Sequence, residues 1–281
     1  MKNKTLKDSL IGLILGMAIM LGAYYSIPKD SIDKLVPNSP VETVIFFGSV
    51  ILCPFFAIFI HELGHLTAGL VQGFKVQLFI VAFLGIKREE DTVKFYFNKE
   101  FQFFGGIAAT SPKKITTYLK KQYAYILIAG PLFSLFFGVL FIILFSFTDS
   151  IFNSSLGITG IISIGMFLAT TLPSKSGIFF TDRKRMQRLL DKGKIGEIEY
   201  SFLKTTSQLL IDNHYKNISI VDLKMIQSDN EPIIQFWGHY YEFKHFEEIG
   251  NEETALKIKN TLYLFKDSIP KTIWKSLSIN Q

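Results

Sequence analysis

Only one of the 281 residues is cysteine, Cys53, and it lies within an apolar run. A disulfide framework is excluded, and a single thiol does not reveal a redox compartment. Charge is also scarce. Asp, Glu, Lys and Arg make up 19% of the chain, against about 25% in soluble domains. The charge present clusters between apolar blocks and in the last third. A formal net charge of +6 therefore does not point to nucleic acid as a partner. Much of the excess flanks apolar runs, where Lys and Arg hold the cytosolic side of a membrane. A clear small-x-small cleavage site is missing too. Lys2, Lys4 and Lys7 lead into an apolar stretch at 10–27 that ends in AYYSIP, which reads as an uncleaved anchor rather than a signal peptide.

What the chain has in quantity is hydrocarbon. It is 48% hydrophobic, with 28 Phe, and its mean hydropathy is positive. Four segments, 10–27, 44–71, 123–147 and 156–172, have close to the ~20 apolar residues that a helix needs to cross ~30 Å of bilayer. The loops orient them. The N-terminal tail is basic, residues 73–122 hold nine Lys and Arg, the link TDSIFNSS holds none, and Arg183, Lys184, Arg185 and Arg188 follow the fourth span. Both termini are then expected in the cytosol, with spans two and four running the same way, inward. Residues 73–122 are too long for a plain loop. VQLFIVAFLGI and VKFYFNKEFQFFGGI read as β-strands joined by the charged turn KREEDT, a small sheet on or in the membrane. After Arg183, stretches such as EIEYSFLKTTSQLLIDN and NEETALKIKNTLYLFKDS read as amphipathic helices.

The second span ends in FIHELGHL. On a helix, His61 and His65 are i and i+4 and share a face. That spacing lets both imidazoles reach one tetrahedral ion at about 2.0–2.1 Å. Glu62 projects about 100° round from His61. It can stand beside a metal without binding it and take a proton from the attacking water. A charge within a span costs ~2.5 kcal/mol or more, so three such residues within five are hard to explain as packing. Ten residues separate His61 from Val71, roughly 15 Å of helix, which places the pair below the cytosolic surface.

A catalytic zinc takes three protein ligands and an open fourth position. His214, His239 and His245 lie in the polar C-terminal region, Asp149 falls on the outer side, and Asp91 sits in the KREEDT turn. Asp182, in LPSKSGIFFTDRKRM, follows span four on the same side as His61 and His65. Thr181 or Asp182 would also serve as the N-cap of the helix that begins there.

HELGH in a span, AGPLFSL in span three and LPSKSGIFFTD after span four together resemble the M50 family of intramembrane metalloproteases, the site-2 protease class. The resemblance covers about residues 41–190, in order. It implies one zinc ion held by His61, His65 and Asp182, with Glu62 as general base. Ala129-Gly130-Pro131 corresponds to the family's Gly-Pro element, and Gly105 and Gly106 to a Gly-rich strand that presents substrate. The sequence departs from the family pattern at Arg183, where Gly is usual after the Asp, and at Ser134, where Asn is usual. No PDZ insertion or CBS domain is visible.

The expected molecule is mainly α, a polytopic membrane protein of about four transmembrane helices with a small membrane-associated β element and a helical cytosolic C-terminal domain. Residues 1–40 form an anchor and outer loop, 41–182 the intramembrane metalloprotease core and 183–281 the cytosolic helical domain. The expected activity is zinc-dependent cleavage of a membrane-protein or peptide substrate within or at the cytosolic edge of the bilayer, in the plasma membrane. A regulatory partner of the C-terminal domain is expected as well. The alternative is a non-catalytic binding, immunity or export protein on the same scaffold. A transporter is a third class, disfavoured because no inverted repeat is visible.

Overall fold

The computed structural model describes residues 33–89, 92–176 and 179–277. The apolar stretch at 10–27 lies outside them, as does Asp91. Among the described residues three helices are long and apolar enough to cross a membrane: α1 (Pro40–Val71), α2 (Leu119–Phe147) and α3 (Asn153–Thr171). The expected spans at 44–71, 123–147 and 156–172 are each present but extend past their apolar letters at the start. Helix α1 begins at Pro40 because Ser39 caps it, its hydroxyl accepting from the Glu42 N–H at 3.2 Å, and because Pro at N1 gives up no needed donor. Just past its end the chain turns away at Gly73, whose φ of +78° suits glycine.

The three helices form an antiparallel bundle. Lys34 pairs with Asp149 at 3.0 Å at one end, and Gln72 donates to the Gln122 carbonyl at the other. Close crossings are made at glycine. A Cβ on Gly64 would stand 2.6 Å from Ala129 O and 2.9 Å from Gly130 Cα, so α1 and α2 touch backbone to backbone there. Gly138 and Gly160 bring α2 and α3 together in the same way. Small residues at such crossings allow the dispersion contacts that hold helices together in lipid.

Between α1 and α2 lies a four-stranded antiparallel sheet in the order β3-β2-β1-β4, formed by β1 (Lys75–Val81), β2 (Leu84–Glu89), β3 (Thr92–Phe97) and β4 (Ile107–Ser111). The sequence suggests two strands here, and the structure has four. VQLFIVAFLGI folds back on itself at Ala82, which takes a φ of +50°. Asn98 holds that turn: its side-chain amide donates to Ala82 O at 2.8 Å and its backbone N–H to Phe83 O at 2.7 Å. The second expected strand breaks at a 3-10 turn, Phe101–Phe103, where Phe83, Phe101 and Phe104 pack edge and face. β4 then runs beside α1, with the Thr110 side chain filling the space that a Cβ on Gly69 would need.

After α3, the two-residue strands β5 (Lys175–Ser176) and β6 (Phe179–Phe180) lead into α4 (Asp182–Leu190). Helices α5 (Lys194–Asp212), α6 (Ile220–Gln227), α7 (Pro232–Glu248), α8 (Glu252–Tyr263) and α9 (Lys271–Ser276) follow. Helices α6 to α9 enclose an apolar core around Phe236, Leu223, Ile226 and Leu262. A second cluster joins α4 and α5 to the bundle through Leu189, Leu203, Leu119, Ala124, Ile126 and Phe74.

Candidate metal centre

Helix α1 supplies His61 and His65 from its buried face, and α4 supplies Asp182 from its first position. Nε2 of His61 lies 3.3 Å from Nε2 of His65. Asp182 Oδ2 is 3.2 Å from the first and 3.6 Å from the second. Ligands about 2.0–2.1 Å from a tetrahedral zinc stand about 3.3 Å apart, so the three donor atoms have the separation that one ion requires.

The far side of each imidazole is held. His65 Nδ1 donates to the Ile126 carbonyl of α2 at 2.7 Å. His61 Nδ1 is 2.9 Å from the Ser134 hydroxyl. The carbonyl accepts a proton from Nδ1 and so leaves Nε2 of His65 bare on the side where the donors converge, the arrangement a metal-ligating histidine needs. Gly130 and Ser134 are one helical turn apart on α2 and oppose His65 and His61 respectively. A Cβ on Gly130 would stand 2.3 Å from His65 Nε2, so the imidazole occupies the space that glycine leaves.

Glu62 lies on the flank of the same helix, toward the sheet. The backbone N–H of Ala108 in β4 faces its carboxylate. Gly106, with φ of +90°, comes so close that a Cβ there would stand 2.7 Å from Glu62 Cγ. Gly105 is exposed beside it. The two glycines lie in the turn leading into β4 rather than inside a strand.

The two histidines are buried, and Asp182, its side chain 22% exposed, is the wetter side of the group. Burial acts to raise the Asp182 carboxyl, but the two imidazoles beside it, His61 and His65, outweigh it and hold the group below the usual carboxylate range. It is therefore ionised at neutral pH, as a metal ligand must be. Thr181 is the residue ahead of α4, yet its hydroxyl makes no cap bond. It turns back instead to the Leu172 carbonyl at 2.9 Å, fastening the start of α4 to the end of α3. Arg183 is exposed, so the side chain that replaces the expected glycine points away from the donors.

The other candidates lie elsewhere. Asp149 pairs with Lys34 at the opposite end of the bundle. His214 pairs with Glu248, His245 with the Tyr215 carbonyl, and His239 packs on Phe265. Among the described residues His61, His65 and Asp182 are the one His/Cys/Asp/Glu group placed to hold a metal. Sequence reasoning missed the supports of this group. Ser134 had a signal, its i, i+4 spacing from Gly130 mirroring that of the two histidines. The Ile126 carbonyl had none, since every residue carries one.

Comparison with curated proteins and with solved structures finds no match to this chain. The family model of peptidase family M50 matches residues 49–278, a range that holds α1 from Ser49 onward, the sheet, Asp182 and the C-terminal helices. With most of its length matched, the chain belongs to peptidase family M50.

Proposed function

We propose that this protein is a zinc-dependent endopeptidase of the site-2 protease class. It cuts a peptide bond of a membrane-bound substrate within the bilayer or at its cytosolic edge. The observation that carries this reading is the convergence of three metal-type donors from two separate elements, 3.2–3.6 Å apart, with a carboxylate next to them on α1.

His61, His65 and Asp182 would hold the ion. A bound zinc supplies Lewis acidity, polarising the scissile carbonyl and making water a stronger acid. Glu62 takes the water's proton and delivers it to the leaving amine. The Ala108 N–H and Gly106 backbone hold the Glu62 side chain toward the reacting bond. The substrate has to be extended at the cut, because a helical amide is shielded by its own hydrogen bonds. β4 is an edge strand beside Glu62, positioned to take such a peptide by strand addition, and Gly105 leaves room there. An apolar groove of about 1000 Å³ between α1 and the sheet, lined by Phe55, Phe56, Phe59, Phe79 and Phe97 among others, suits the hydrophobic part of that substrate.

The reading includes a location in the plasma membrane with both termini in the cytosol, and a regulatory partner for the C-terminal helices. The rival, a non-catalytic binding scaffold, drew on Arg183 and Ser134. Arg183 is exposed and Ser134 lies against His61, so neither departure obstructs the three donors. The test is zinc content in detergent-purified protein together with cleavage of a quenched library of apolar peptides. Wild type is expected to carry about one zinc and Asp182→Ala to lose it. Glu62→Gln is expected to keep zinc and to lose cleavage by a factor of at least about 10². Cleavage surviving in Glu62→Gln would sink the mechanism, and folded wild type without zinc would sink the assignment.

A further inference from the structure

Arg188 is a buried polar link between α4, which carries Asp182, and the C-terminal helices. Helix α4 carries Asp182 in its first turn and Arg188 in its last. Arg188 is buried, and so are both of its acidic partners. Its Nε donates to Glu199 of α5 and its Nη2 to Asp229, in the link between α6 and α7. The guanidinium also lies over the ring of Phe180, 4.9 Å from its centre and two residues ahead of Asp182. Asp229 is fixed in turn by the Glu231 N–H at 2.8 Å and by the Gln235 amide on its carbonyl. Glu231 reaches back to pair with Lys175 in β5. The short segment that delivers Asp182 is thus gripped from both sides by the C-terminal helices.

The two α1 ligands need no such grip, because they sit on a 32-residue helix with fixed spacing. Asp182 sits on a helix of nine residues, below the length that holds its own shape in water. Its position is set by what anchors α4. Thr181 fastens one end to α3, and Arg188 fastens the other to the C-terminal helices.

We propose that Arg188 is a positioning residue of the metal centre: by holding Glu199, Asp229 and Phe180 together it keeps α4 where Asp182 completes the His61–His65 pair, so that the C-terminal helices set the affinity for metal. This rests on the zinc-peptidase reading above. Without Arg188, two buried carboxylates face each other uncompensated and must move apart, carrying the α4 anchor with them. A partner that shifts α5 or the α6–α7 link acts on the same joint.

The test is zinc affinity of the full-length protein in detergent, with zinc alone as the probe, by competition with a chromophoric chelator, beside the melting temperature of the metal-free protein. Arg188→Gln is expected to weaken zinc about tenfold or more, the range found when a residue supporting a ligand is lost. Arg188→Lys, which keeps the charge but not the fork, is expected to recover part of it, and Glu199→Gln to weaken zinc as well. Leu262→Ala, in the separate core of α6 to α9, is expected to lower the melting temperature and leave zinc affinity unchanged. Wild-type affinity in Arg188→Gln overturns the proposal. So does an equal loss in Leu262→Ala at equal destabilisation. Should Arg188→Gln not fold, Glu199→Gln decides by the same criteria. Wild type that binds no zinc overturns the reading beneath the proposal and the proposal with it, a result separate from any difference among variants.

Discussion

A hydroxyl at position 134 does for His61 what a backbone carbonyl does for His65. Each occupies Nδ1 and aims Nε2 at the same point. Ser134→Ala leaves His61 Nδ1 facing a small void inside the bundle, so its ring loses its tether without losing its place in the chain. Zinc affinity is expected to fall about 10- to 100-fold, with Ser134→Asn recovering part of the loss. Chelator competition on the purified protein checks both. His61, Glu62 and His65 were legible in the sequence because their geometry is local: four residues on one helix fix the spacing whatever the rest of the chain does. Asp182 was legible for a different reason, the shared direction of two spans. The support from Ile126 was not, because a carbonyl leaves no letter, and Ser134 read as a departure because its partner lies 73 positions away.

Among the elements, the α1–α2 crossing is the one that the candidate site depends on most directly, since the two histidines and their supports face each other across it. Gly64→Val places a branched side chain where even a Cβ meets backbone at 2.6 and 2.9 Å. Backbone cannot rotate away, so the helices must part. The expected cost is about 1–3 kcal/mol together with loss of zinc. Gly48→Val on the same helix meets nothing within 4 Å and is expected to change little. Thermal unfolding of the two variants side by side measures the difference. The long helices were readable from apolar length alone. The sheet was readable only as β-rich sequence. Its extra turn depends on Asn98 bonding to Ala82, 16 positions back, and on ring packing that breaks the second strand, and both are tertiary contacts that override local propensity.

On the scale of the whole molecule, the bundle has a polar pair, Lys34 and Asp149, at one end and the C-terminal helices at the other. The chain's single cysteine is buried, which makes topology easy to test by labelling. In a Cys53→Ser background, Asp149→Cys is expected to react with a membrane-impermeant maleimide on intact cells, since the side chain there is 89% exposed. Lys257→Cys, 73% exposed on α8, is expected to react only after the membrane is opened. The reverse pattern would invert the proposed orientation. Charge bias in the loops suggested this arrangement, whereas the joint at Arg188 was invisible in sequence, because Glu199 and Asp229 are ordinary acids until the fold buries them together.

His61 and Asp182 stand 121 positions apart, and a metal held between them is a cross-link. A covalent tie closing a loop of that size removes roughly 5 kcal/mol of chain entropy from the unfolded state. A chain with one thiol cannot make such a tie from sulfur. A zinc ion bound as proposed would make it instead, reversibly and without regard to redox state. Loading is therefore expected to raise the melting temperature with zinc concentration, by about 2.7 kcal/mol of stability at a hundredfold excess over the dissociation constant. A calorimetric titration of the purified protein would show it, and the same ion would then serve as both reagent and fastener.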